Sequence, residues 1–469
     1  MQEHRLEKKY GLFTAICMVV GVVIGAGVFF KAQTILQITG GDLALGIAAW
    51  LTGGAIMLSC TLAFSVMAQE YAHAGGVVDY AEAAVGSRYA YFAGWFLATV
   101  YYPCLTSVLC WLSARYTLEF ITACYPAFPL RIPAAAGGCA QGPECLALMA
   151  FYLCAAYAIN AFAPRLAGKL LTSVTVIKLI PLLLMAVVGV AAGVLGPTHM
   201  LTQNFAAAPA MAGQSDGALL GAVCSAAFAY EGWIVATSIN AELKDAKRNL
   251  PRALVTGALI VVTVYIAYYL GVAGGAEVQT LMERGALIAY VNLFGSAMGN
   301  LLTLLIAISC LGTLNGLMMG CARGMYALAN RGEGPRPAMF AKISEKSNMP
   351  VASAVFGLVA SACWTVYFYL ANVMQLWTGP FAFDSSELPV ITLYLFYIPV
   401  FFCWMKKSRG EGVLRRYVLP ALALASAAFM VFACIVSHKM ANVWYLIVFA
   451  VIMLLGAPFA GKRKTGGNP

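Results

Sequence analysis

Few residues in this chain can do chemistry inside the apolar stretches that dominate it, and they fall at three places. The first is Gly21-Val22-Val23-Ile24-Gly25-Ala26-Gly27, which sets three glycines within seven residues at the middle of the first apolar stretch. Glycine costs about 1 kcal/mol relative to alanine in a helix interior, and any backbone group loosened at membrane depth must still find a partner. Two readings follow: a break that offers backbone groups to a ligand, or close packing against a second helix through small residues. The second place is Ala227-Phe228-Ala229-Tyr230-Glu231-Gly232-Trp233, where a carboxylate stands beside a glycine in the middle of the sixth apolar stretch. Interrupted segments at matching positions in two halves of a chain favour the first reading. Half-helix N-termini offer free amides and a positive dipole end to a carboxylate. Unwound carbonyls can accept from an ammonium, so such a pair of breaks suits a zwitterion.

The third place is Lys178, in Thr175-Val176-Ile177-Lys178-Leu179-Ile180-Pro181 of the fifth stretch. About twelve residues separate it from either end, or roughly 18 Å at the helical rise, too far for its side chain of about 6 Å to reach water. An ammonium there needs a partner inside the bundle. It can act as a tethered cation where other carriers hold sodium, as a proton carrier, or as a structural cap on stray carbonyls. Glu231 either orients the broken helix, contacts a substrate amine or caps loose amides. Lys31 reads as a structural residue at the edge of a vestibule, and Asp384 and Glu387 as solvated loop carboxylates. His4, His73, His199 and His438 all map to loops or termini, which argues against a buried histidine relay.

The elements that must position these groups are membrane helices. Residues AVILMFWYC make up 62% of the 469 positions and charged residues 10%, against roughly 25% charged in soluble domains. Spans are predicted near 11–37, 43–72, 88–118, 146–162, 166–194, 217–240, 251–274, 289–322, 350–370, 386–405, 417–436 and 442–460, each long enough for the hydrocarbon core. Pro103 and Pro181 are expected to kink the third and fifth. The pattern predicts one all-α membrane domain: inverted five-helix repeats at 11–194 and 217–405, with two further helices over 417–460. With both termini inside, 23 of the 29 Lys and Arg fall on the cytoplasmic side and three outside, with three inside spans. The net charge of +10 is therefore a topology signal, not a nucleic-acid footprint. The first apolar run is too long for a signal peptide and lacks a small-residue cleavage site. Eleven of the 14 cysteines lie in or at the ends of apolar segments; Cys124, Cys139 and Cys145 share the loop between spans 3 and 4, where a disulfide would leave one thiol over. No metal spacing, HExxH or paired intramembrane aspartate is present, so neither a cofactor nor an enzyme activity is expected.

Gly25-Ala26-Gly27-Val28-Phe29, then Thr39-Gly40-Gly41 and Gly75-Gly76 before Tyr80, resemble the amino acid–polyamine–organocation superfamily. Ala229-Tyr230-Glu231-Gly232-Trp233 with Glu242, Asn249-Leu250-Pro251 and Ala253 resembles its L-type transporters and bacterial serine/threonine exchangers, as does Gly312-Thr313-Leu314-Asn315-Gly316 with Arg323. The similarity runs through ten spans. It implies a leucine-transporter-like fold with helices 1 and 6 broken. It implies a substrate carboxylate at the amides of Ala26 and Gly27, beside Gly25, and an amine at the carbonyls of Ile24, Phe228, Ala229 and Glu231. Tyr230 would close over the substrate. Lys178 would face carbonyls near Gly21 and Ile24 in place of sodium, with Ser309 and Thr313 completing that site. Animal relatives pair with a single-span glycoprotein through a cysteine in the loop between spans 3 and 4; a shared location does not establish such a partner here. The chain departs from the pattern at Ala72, Val66 and Glu231, where the family has Pro, Glu and Asp, and in a longer stretch over 379–384, which leaves the preferred side chain open. The expectation is a sodium-independent exchanger of neutral amino acids in the cell membrane. The alternatives are proton-coupled uptake of amino acids or amines, and a non-transporting amino-acid receptor.

Overall fold

The computed structural model describes residues 11–25, 27–70, 76–125, 142–163, 174, 177–211, 217–233, 243–344, 349–408 and 412–461. Among them nine helices are long and apolar enough to cross a membrane, or ten if a pair bent by 81° is counted as one broken span. The first and sixth expected spans are the ones that fall short, because each contains a shorter helix that stops inside the apolar run.

In chain order, α1 (Leu12–Val23) and α2 (Gly27–Ile38) share the first span, followed by α3 (Leu43–Glu70) and the short α4 (Val77–Ala84). The third span joins α5 (Ser87–Phe96) to α6 (Tyr102–Cys124), and α7 (Pro143–Phe162) is the fourth. The fifth comprises α8 (Leu179–Leu184) and α9 (Val190–Leu195), bent onto α10 (Met200–Met211), and the sixth begins with α11 (Ala218–Ala229). Then come α12 (Ala246–Gly275), the short α13 (Val278–Arg284), α14 (Leu287–Asn330), α15 (Pro337–Phe340) and α16 (Val351–Phe368). The last three long helices are α17 (Leu388–Lys407), α18 (Leu419–His438) and α19 (Met440–Gly456).

The prolines shape the third and fifth spans by a mechanism subtler than a kink. Pro103 has no amide to give the carbonyl four residues back, and the chain widens into a π turn over Leu97–Tyr101 just before it. The stranded Thr99 carbonyl accepts instead from Trp364 Nε1 of α16 at 3.0 Å. A second π turn, Met185–Gly189, follows Pro181. There the fifth and seventh spans touch through backbone: a Cβ at Gly189 would lie 2.3 Å from the Gly271 carbonyl oxygen. Apolar helices have no hydrophobic drive toward one another in lipid, so small residues that let backbones meet supply the packing.

Two groups of helices result. α6, α7, α14 and α16 pack on one another, and α1, α2, α3, α11 and α12 form the second group, with α18 laid on α3 and α11 and α17 on α18. Asn160 of α7 holds the first group together by donating to Asn315 Oδ1 of α14 at 2.8 Å. Large apolar side chains such as Leu454 and Leu455 of α19 stay exposed, as a lipid-facing surface requires.

Candidate functional site

The first break is narrow. α1 ends at Val23, and Ile24 turns extended at φ −69°, ψ 95° while its amide still bonds Val20. Ala26 lies outside the described residues, and α2 starts at Gly27. The second break follows Ala229. Tyr230 caps α11, and Gly232 takes φ 107°, a left-handed value open to glycine. Residues 234–242 lie outside the described residues.

The two breaks lie against each other. A Cβ built on Gly27 would stand 2.9 Å from Ala229 Cα and 3.5 Å from Phe228 Cδ1. On the other side of the first break, a Cβ on Gly25 would meet Thr313 of α14 at an ordinary 3.5 Å. Thr313 Oγ1 donates to the Ser309 carbonyl at 3.1 Å, while Ser309 Oγ is buried with no hydrogen-bond partner among the described residues. Lys178, 5% exposed just before α8, donates from Nζ to the Gly21 carbonyl of α1. The structure thus brings Gly21, Ile24, Gly25, Gly27, Lys178, Ser309 and Thr313 around one break, and Phe228 and Ala229 against it.

Two tyrosines that sequence reasoning passed over complete the region. Tyr265 of α12 lies with its hydroxyl 3.0 Å from both the Val23 and the Ala229 carbonyl oxygens, so it bridges the ends of α1 and α11. Tyr101, the last residue of the π turn ahead of Pro103, donates to Glu231 Oε1 at 2.5 Å. Tyrosine in an apolar helix reads as core, and only the adjoining Pro103 marked that stretch as irregular. Tyr230 is fully buried: its hydroxyl donates to the Trp50 carbonyl at 3.0 Å and its ring stacks on Tyr265 with centroids 5.1 Å apart. A gating motion would require it to leave those contacts.

Three expectations are corrected at one end of the bundle. Glu387, expected as a solvated loop carboxylate, is 5% exposed. Lys31 of α2, read as a vestibule residue, reaches it with Nζ 2.6 Å from Oε1, and the same oxygen accepts from Ser225 Oγ of α11. His438, assigned to a loop, closes α18 and brings Nε2 within 3.4 Å of Glu387 Oε2. The reason is topological: residues far apart in the chain share a buried site that no local pattern records. Asp384 is part of it, accepting through Oδ1 from the Glu387 amide at 3.1 Å and from Ser386. At the end of the bundle that carries α4, Arg331 pairs with Asp79 at 3.0 Å and with Glu82. Among the loop cysteines, Cys124 is exposed at the end of α6 and Cys145 is buried in α7; Cys139 lies outside the described residues.

A family model described as amino acid permease matches residues 10–457. The serine/threonine exchanger SteT of Bacillus subtilis is 28% identical over 450 residues, covering 94% of this chain and 94% of its own. The large neutral amino acids transporter small subunit 2 of Rattus norvegicus is 25% identical over 388 residues, covering 80% of this chain and 68% of its own. The human Asc-type amino acid transporter 1 is 23% identical over 474 residues, covering 98% and 84%.

Proposed function

The chain belongs to the amino acid permease family, and from that premise we propose that it exchanges neutral L-amino acids across the cell membrane, without sodium, by alternating access. The observation that carries this reading is the ammonium of Lys178 at the Gly21 carbonyl, beside the first break. A fixed cation there does the electrostatic work a sodium ion would do, and it leaves no need for a second one. The names of the relatives support neutral substrates and exchange.

In this reading the substrate carboxylate is held by the backbone amides of Ala26 and Gly27 at the first break, because amides that open a helix have no intrahelical acceptor. The amine is held by carbonyls at Ile24 and at the second break, from Phe228 to Glu231. Ser309 and Thr313 support Lys178 from α14. Tyr265 now holds the Val23 and Ala229 carbonyls together, so substrate and this hydroxyl compete for the same backbone. The repeats over 11–194 and 217–405 rock about the site, and both termini face the cytoplasm, as the Lys and Arg bias indicates. Substrate drives the change only by binding one state better than the other.

The test is uptake of labelled neutral amino acids into proteoliposomes in sodium-free buffer, with and without unlabelled amino acid inside. Strong stimulation by the internal amino acid is expected. Uptake that needs an imposed proton gradient would replace exchange with proton coupling through Lys178. Binding without flux in any condition would leave a receptor.

A further inference from the structure

Asp384, Glu387 and His438 form a cluster that the function above does not use. Each offers one metal-ligating atom, and the three atoms lie within 4.8 Å of one another. Glu387 directly precedes α17, and His438 is the last residue of α18. His438 Nε2 stands 3.4 Å from Glu387 Oε2. That is long for a hydrogen bond, for which about 2.7–3.2 Å is usual. It is the spacing of two ligands on one ion, since donors about 2.1 Å from a tetrahedral zinc lie roughly 3.4 Å apart.

The surrounding bonds fix these side chains and leave the required atoms open. Asp384 accepts only through Oδ1, from the Ser386 amide and hydroxyl at 2.6 Å each and from the Glu387 amide at 3.1 Å. Its Oδ2 therefore takes no hydrogen bond among the described residues. Glu387 is held through Oε1 by Lys31 Nζ at 2.6 Å and by Ser225 Oγ, while among the described residues Oε2 meets His438 alone. Partners that hold ligating side chains in place are as much a part of a metal site as the ligands themselves. Two carboxylates face the single ammonium of Lys31, and a dication offsets the surplus negative charge.

We propose that Asp384, Glu387 and His438 form a site for a divalent transition metal of the zinc class, with water as the fourth ligand. One imidazole nitrogen among carboxylate oxygens suits zinc, whereas magnesium and calcium take oxygen ligands. His438 exposes 15% of its side chain, so the ion enters from that surface. α17 already packs on α18. A bound ion ties the start of one to the end of the other, and its effect falls on stability.

The test is thermal unfolding of the tag-free full chain in detergent, titrated with zinc chloride or with magnesium chloride. Zinc is expected to raise the melting temperature, EDTA to reverse the rise, and magnesium to have no effect at the same concentration. His438→Gln and Asp384→Asn, each after running as the parent does on size exclusion, should weaken zinc binding by about tenfold or more, since even outer-shell losses cost 10–100-fold. Unchanged zinc affinity in His438→Gln would overturn the site, as would a parent chain that does not respond to zinc. Cobalt(II) added to the parent provides a check that needs no variant. Visible d–d absorption without a thiolate-to-metal charge-transfer band is expected, and a thiolate band would place the ion on cysteines and overturn the assignment. Neither measurement needs turnover, so failure of the transport reading would leave the result standing.

Discussion

Tyr101 donates its hydroxyl to Glu231 Oε1 across 2.5 Å, which ties the third span to the second break. The donor is presented by a π turn that adjoins Pro103, and the acceptor stands two residues beyond the end of α11. The bond joins the group of helices around α6 to the interrupted sixth span, which belongs to the other group. Movement of one group against the other is therefore felt at this contact.

Tyr101→Phe removes the hydroxyl and leaves the carboxylate oxygen without that donor. An unsatisfied buried acceptor costs roughly 1–3 kcal/mol. Uptake at low substrate concentration should fall by about tenfold, the equivalent of 1.4 kcal/mol, with a lowered melting temperature in detergent. Wild-type values for both would show that the bond couples nothing.

Lys178→Ala should abolish transport while leaving the protein inserted, because the Gly21 carbonyl loses its donor and the first break loses its fixed charge. Removing one member of a buried charged hydrogen bond costs several kcal/mol. Thermal stability of the variant with and without substrate separates the two losses: a vanished substrate-induced shift locates the damage at the break. Wild-type uptake by Lys178→Ala would remove the lysine from its assigned role.

The helices and the breaks were legible in the sequence for simple reasons. An apolar run must be helical in lipid, and three glycines in seven residues weaken that helix where nothing else competes. Lys178 stood out because no surface was within its reach. What stayed hidden depends on partners that only the folded chain brings together. Glu387 looked like a loop carboxylate because Lys31 is 356 residues away, and His438 because its helix ends at that residue. Tyr101 and Tyr265 look like any other aromatic in a membrane helix until their hydroxyls are seen on Glu231 and on the ends of α1 and α11.

Arg331 should behave differently from Lys178. Its side chain is 18% exposed and those of Asp79 and Glu82 are 25% and 27% exposed, so solvent partly screens these two pairs, whereas Glu333, 3.6 Å away, is only 4% exposed. Fully exposed pairs are worth about 0.2–1 kcal/mol each, and partly screened ones like these somewhat more. Arg331→Gln should change the maximal transport rate by less than roughly tenfold, and the difference should shrink as salt is raised from low to high. A complete loss of transport at every ionic strength would give Arg331 a role that a screened pair does not supply.

Gly25 and Gly27 provide the sharpest contrast, because they differ in surroundings and not in type. A methyl on Gly27 would lie 2.9 Å from Ala229 Cα, where backbone must shift, whereas a methyl on Gly25 would touch Thr313 at 3.5 Å. Overpacking of this kind costs about 1–3 kcal/mol, so Gly27→Ala should part the two breaks and weaken substrate binding. Gly27→Leu should block binding altogether, since the side chain fills the place proposed for the carboxylate. Gly25→Ala should leave the fold intact, with any loss confined to substrate affinity. Isothermal titration or substrate-induced thermal shift on the three variants decides the matter: equal affinities for parent and Gly27→Leu would refute the proposed carboxylate site, whatever uptake shows.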